Sequence, residues 1–148
     1  MNVVEKIMTL APGIQSEMHE NVIKRLAKNE GVKEKDDAKY LDMYWQPFLI
    51  GAVLGFTLDL KRKEIEGKKI SPFKYSTLAN NSIGSINTLI AFAVAKDGYQ
   101  ILLDHSAINK CIEEYANAGL EYLSELIATD LDLFNDYNGY HELITDLL

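Results

Sequence analysis

The run Tyr44-Trp45-Gln46-Pro47-Phe48-Leu49-Ile50-Gly51-Ala52-Val53-Leu54 constrains this chain more than any other stretch. It is apolar all round, so a helix built from it has no face for water and must lie at the centre of a packed domain. That central helix is expected to begin near Ala38 or Leu41 and to end at Leu54. Pro47 fits either in its first turn or at a kink. Gly55 is placed for the left-handed position after the last turn, with Phe56 folding back over it. A chain of 148 residues, 47% hydrophobic and 25% charged, is long enough to wrap one ordinary core around such a helix. Residues 1–148 are therefore expected to form a single helical domain.

The flanking segments supply the layers around it. Val3, Val4, Ile7 and Met8 mark a short first helix stopped by Pro12-Gly13. Ser16 is a candidate cap for a second helix carrying Ile14, Met18, Val22, Ile23 and Leu26, closed by Gly31. Residues 32–39 are charged and read as a solvated connection. Residues 57–75 form a strongly basic connection, either an irregular loop or a short hairpin. After a loop-like Asn80-Asn81-Ser82, Ser85 is expected to cap a helix running through Ala95, with Ile86, Leu89, Ile90, Ala93 and Val94 as its stripe. Asp97-Gly98 marks a turn, and residues 99–103 a short apolar helical turn.

Ser106 then opens the clearest amphipathic helix. Ile108, Ile112, Tyr115, Gly119, Leu123 and Ile127 recur at helical spacing, and Glu113, Asn117, Glu121 and Glu125 occupy the opposite face. Gly119 inside that stripe costs about 1 kcal/mol in helix propensity, so close approach of a second helix is the natural compensation. An acidic, apolar segment, residues 131–148, completes the chain. The expected class is all-α, with about six helices and at most a short hairpin within 57–75.

Charge narrows the function classes. The formal net charge is −7, which opposes a general nucleic-acid-coating role. Residues 1–75 hold 13 Lys/Arg against 11 Asp/Glu, whereas residues 76–148 hold only Lys96 and Lys110 against 11 acids. Such asymmetry points either to two faces with different partners or to solubility spread unevenly. The single cysteine, Cys111, allows no intramolecular disulfide and fits a reducing compartment. No basic stretch precedes an apolar core at the N-terminus, so no signal peptide is read, and the expected location is the cytoplasm. The uncharged stretches at 43–58 and 75–95 are too short or too polar to be membrane spans.

No catalytic or metal-binding motif is found, so neither a catalytic residue nor a metal or cofactor is assigned. His19, His105 and His141 have no second histidine at i+3 or i+4, as a zinc site on a helix would need. Asp104-His105 reads as the start of the following helix rather than half of a hydrolase site. Cys111 lacks a spaced His–Asn set and reads as a buried thiol. Phosphate-cradling glycine loops and the G-x-S-x-G turn do not occur. Asp59 with Glu66-Gly67-Lys68 mimics the carboxylate and acid-x-Lys set of metal-dependent nucleases. The same triplet recurs at Asp37-Ala38-Lys39 and Asp59-Leu60-Lys61, and no strand signal surrounds Asp59, so the pattern carries little information. The basic loop at 61–74 is better motivated. Lys61, Arg62, Lys63, Lys68 and Lys69 are candidate phosphate contacts, with Asp59, Glu64 and Glu66 diluting their field.

The stretch Ile112-Glu113-Glu114-Tyr115-Ala116-Asn117-Ala118-Gly119-Leu120-Glu121-Tyr122-Leu123 resembles the E-E-Y-A-N-G-G-L-E-x-L signature of the Dnd system-associated protein 4 family. The run from Ile50 to Thr57 is similar to that family's apolar helix ending in A-x-x-L-G-F. The order and spacing agree over roughly residues 40–127, with Ala118 standing where the family usually has Gly. The resemblance implies a setting, an accessory protein beside DNA phosphorothioation genes in a restriction or anti-phage locus, and carries over no catalytic residues. It favours a non-enzymatic adaptor that binds other proteins of the defence locus, with or without self-association. Tyr115, Asn117, Gly119 and Glu121 then form a candidate contact surface, set against the alternative that this helix simply packs inside its own domain. A DNA-contacting regulator acting through the basic loop is the second reading.

Overall fold

Helices make up nearly all the regular structure in the computed structural model, which describes residues 1–28, 39–130 and 132–147. Helix α1, Val3–Met8, is capped by Asn2, whose side-chain oxygen accepts the Glu5 N–H at 2.9 Å. Residues 14–15 form β1, and α2 follows over residues 16–26, with a π-helical middle, His19–Ile23. The apolar run forms α3, Trp45–Thr57. Strand β2, Lys69–Ile70, pairs antiparallel with β1, Ile14 opposite Ile70. Then come α4, Tyr75–Asn81, and α5, Ile83–Asp97, followed by a 3₁₀ turn, Tyr99–Leu103. The long helix α6, His105–Thr129, and α7, Tyr137–Leu147, complete the fold. The chain is all-α as expected, with seven α-helices among the described residues rather than about six.

The two helices singled out by their sequence lie against each other at the centre. Ile108, Ile112, Tyr115, Leu123 and Ile127 of α6 are buried, as are Phe48, Ala52, Leu54 and Phe56 of α3. Glycines set the contact distance. A Cβ on Gly119 would lie 1.7 Å from the Gly51 carbonyl oxygen, and one on Gly55 would lie 2.1 Å from that of Tyr115. The crossing expected from Gly119 is therefore present, backbone against backbone. Helix α5 covers this pair with Ile86, Leu89, Ile90 and Ala93. No helix among the described residues is long and apolar enough to cross a membrane.

Several boundaries differ from the sequence reading, each for a local reason. Helix α3 starts at Trp45, where Gln46 Oε1 accepts the Asp42 and Met43 N–H groups, so Pro47 sits within the first turn and its missing donor costs nothing. Gly55 is not the left-handed terminator, because α3 needs it inside the helix for the approach to Tyr115. The left-handed residue is Asp59, φ +50°, with Leu60 N–H returning to the Gly55 carbonyl at 3.0 Å. Ser16 and Ser85 do not cap. Ser16 is already helical, and α5 begins before Ser85, whose hydroxyl meets that of Ser82 at 2.6 Å.

Asn80 and Asn81 belong to α4 rather than a loop, Asn81 donating to the Thr77 carbonyl. Asp104, not Ser106, caps α6, accepting the Ala107 N–H at 3.1 Å. No hairpin closes within 57–75, since β2 pairs with the distant β1. Helix α2 ends at Leu26, where extended Ala27 bridges to Leu41. The stop expected at Gly31, the start at Ala38, the Asp37-Ala38-Lys39 triplet and most of the 32–39 connection lie outside the described residues.

Two glycines test the crossing. Gly119→Ala should lower stability by about 1–3 kcal/mol or more, since the added carbon meets backbone that cannot rotate away. Gly84→Ala, with nothing within 4 Å of the added carbon, should raise stability by about 0.4–1 kcal/mol. Thermal melting of the two variants should therefore shift in opposite directions.

Candidate functional site

The basic connection leaves α3 through the Asp59 turn and lies along α6, so its charges meet the acids of that helix. Arg62 Nη1 donates to Asp97 Oδ1 at 2.6 Å and Arg62 Nε to Glu114 Oε1 at 3.1 Å. Lys63 pairs with Glu121, and Lys69 Nζ reaches Glu113 Oε2 at 2.9 Å. Lys96 holds Asp59. Burial alone works against the Arg62 charge, but the Asp97 hydrogen bond and the nearby carboxylates outweigh it and hold the guanidinium charged well above its usual range.

Not all the acids on α6 are turned to solvent: Glu125 is exposed and Glu121 half exposed, but the two acids nearer the helix's start are enclosed. Glu113 and Glu114 are only 6% and 7% exposed and Asn117 3%, so much of the side opposite the apolar stripe is buried as well. Buried carboxylates are tolerable only when paired and hydrogen-bonded. Glu113 satisfies that rule most completely. Its Oε1 accepts the Gly13 N–H at 2.8 Å and the Asn109 amide at 3.0 Å, and its Oε2 accepts Lys69. One side chain thus ties the N-terminal segment, the loop and α6 together. Asn117 Nδ2 donates to the Lys63 carbonyl at 3.2 Å and to Gln15 Oε1 at 3.3 Å. Lys63 N–H closes the set by donating to the Glu114 carbonyl.

Tyr115 packs between the two systems. Its ring stacks on Phe56 at 4.4 Å, which stacks in turn on Phe92, while Arg62 and Lys96 approach it at 5.4 and 5.5 Å. Of the contact surface expected from sequence, Tyr115, Asn117 and Gly119 are all turned into the protein, and Glu121 remains half exposed at its edge. Of the five candidate phosphate contacts, Arg62, Lys63 and Lys69 carry carboxylate partners. Lys61 and Lys68 are exposed and form no ion pair among the described residues.

Sequence reading missed Asp97 and Glu114 as partners of this loop, and Gly13, Gln15 and Asn109 as partners of the α6 side chains beside it. A signal was present in the opposite charges of the 61–69 run and of residues 113, 114 and 121, which share one side of a helix. Between the loop and the start of α6 lies a cleft of about 450 Å³, lined among others by Glu64, Lys69, Ser106, Asn109 and Lys110. Its charges are mixed, and among the described residues no group of three or more His, Cys, Asp or Glu side chains is arranged to hold a metal ion.

Cys111 is buried below this cluster, and burial pushes its thiol up to about 12, Asp97 and Glu114 adding to the effect and Arg62 opposing it. A thiol so rarely ionised is a packing group. At pH 8 iodoacetamide should label it about a hundredfold or more slowly in the folded chain than in denaturant.

Arg62→Gln should cost about 1.5–3 kcal/mol, because it strands the buried Glu114 carboxylate. Lys61→Gln and Lys68→Gln should leave the melting temperature unchanged. Chemical denaturation of the three single variants separates clasping residues from free ones.

Apart from Gly13, the residues that tie the loop to α6 fall within the part of the chain that matches a known family. A family model described as DNA sulphur modification system-associated protein 4 matches residues 15–138. No curated protein and no solved structure matches the chain.

Proposed function

Since the chain belongs to the DNA sulphur modification system-associated protein 4 family, we propose that it is a non-enzymatic accessory protein of a phosphorothioation-linked restriction system. It acts in the cytoplasm through contacts with other proteins of its defence locus. The observation that carries this reading is the neutralisation of the basic loop. Arg62, Lys63 and Lys69 are engaged by Asp97, Glu114, Glu121 and Glu113, so half of the loop's cations are already balanced within the chain. Lys61, Lys68 and Lys74, the loop's exposed lysines without an ion pair among the described residues, make a poor electrostatic footprint for DNA on a chain of net charge −7.

Contact surfaces are better supplied elsewhere. Tyr99 and Leu103, on the turn between α5 and α6, are 81% and 90% exposed. Large apolar side chains in water are the usual raw material of protein interfaces. The interface therefore moves away from Tyr115, Asn117 and Gly119, whose contacts are internal.

The second reading, a DNA-contacting regulator, rests on exposed Lys61 and Lys68. The two are separable by changing only these residues, which spares the clasp. The adaptor predicts that Lys61→Gln/Lys68→Gln retains a co-expressed protein of the same locus, and that the unmodified chain binds duplex DNA only weakly near physiological salt. Sub-micromolar, salt-sensitive DNA binding that disappears in the double variant would sink the adaptor in favour of the regulator.

A further inference from the structure

A second surface, away from the clasp, has the chemistry of a docking groove. Leu58, at the end of α3, meets Tyr122 and Leu126 of α6, Leu133 and Phe134 of the following turn, and Leu143 of α7 around a cavity of about 150 Å³. Apolar cavities of that size accept a benzene-sized group. Its outer wall is built in place. A Cβ on Gly139 would lie 1.5 Å from the Leu133 carbonyl oxygen, so α7 sits directly on the turn, and Phe134 and Tyr140 pack their rings at 5.0 Å.

Acids surround this apolar floor. Glu142 and Asp146 line the groove, and Glu125, Asp130, Asp132 and Asp136 are exposed on the elements that form it. None of these six has an ion pair among the described residues, and the chain contains no Lys or Arg after Lys110. On the same helix His141 stacks on Tyr137 at 5.6 Å. Like charge disfavours nucleic acid, an anionic membrane or the same face of a second copy here.

Resting on the adaptor reading, we propose that this groove docks a basic amphipathic helix of the partner protein. One leucine-sized side chain enters the cavity, and Lys or Arg on either side faces Glu142 and Asp146. The apolar contact supplies the anchor and the charges supply orientation and rate of approach.

The probe is a fluorescein-labelled helical peptide of Leu and Lys, with Leu at i, i+3, i+4 and i+7. Anisotropy titrations on the full chain should show saturable binding, weakened about tenfold when the central Leu is changed to Ala and by a similar factor in Glu142→Lys/Asp146→Lys. Both acids are exposed, so the variant should melt like the unmodified protein. Methyl resonances of Leu126, Leu133 and Leu143 should shift on binding. Equal binding of the Ala peptide, equal binding to the charge-reversed variant, or a dimer that excludes the peptide overturns the proposal. Should a co-expressed locus protein stay on the charge-reversed variant, the groove falls and the adaptor stands. If no locus protein binds even the unmodified chain, both fall together.

Discussion

Everything else in the structure depends on the backbone contact between α3 and α6. Three helical glycines are a liability, each costing about 1 kcal/mol relative to alanine in an open helix. Here they remove the side chains that would hold two carbonyl-bearing surfaces apart, at Gly51 against Gly119 and at Gly55 against Tyr115. The approach fixes α6 in rotation as well as distance. Residues 113–121 are thereby presented to the chain leaving α3, which turns at Asp59 and has α6 immediately beside it.

The electrostatics follow from that placement. Glu113 and Glu114 could not remain buried without Arg62, Lys69 and the amides of Gly13 and Asn109, and the loop has no regular hydrogen bonding of its own to keep it in place. Each side therefore supplies what the other lacks. The first half of the chain, formally near neutral, spends its positive charge on acids of the second half. On the C-terminal elements, by contrast, Glu125, Asp130, Asp132, Asp136, Glu142 and Asp146 are exposed and form no ion pair among the described residues.

The helical periodicity of α6, the crossing at Gly119 and the centrality of α3 were legible in the sequence because apolar spacing reports directly on burial. Boundaries were less so. Gly55 looked like a terminator because glycine answers two different demands, a left-handed backbone and a close contact, and only the tertiary neighbour decides which one is made. The burial of Glu113 and Glu114 left no trace in the spacing of α6, because single-helix periodicity cannot see a loop arriving from fifty residues earlier. The partners of Asn117 were hidden for the same reason, its amide being spent on Lys63 and Gln15. The pairing of β1 with β2 left no local trace at all, since two residues are too few to show an alternating pattern.

The stretch that resembles the family's signature is also the one that holds the loop, seats the tyrosine and brings two helices together. Glu113, Glu114, Tyr115, Asn117 and Gly119 all point inward. A likeness carried by that stretch is therefore a likeness of packing, written in the interior of this chain. A substitution on the outer face of α7 would leave every residue of it in place.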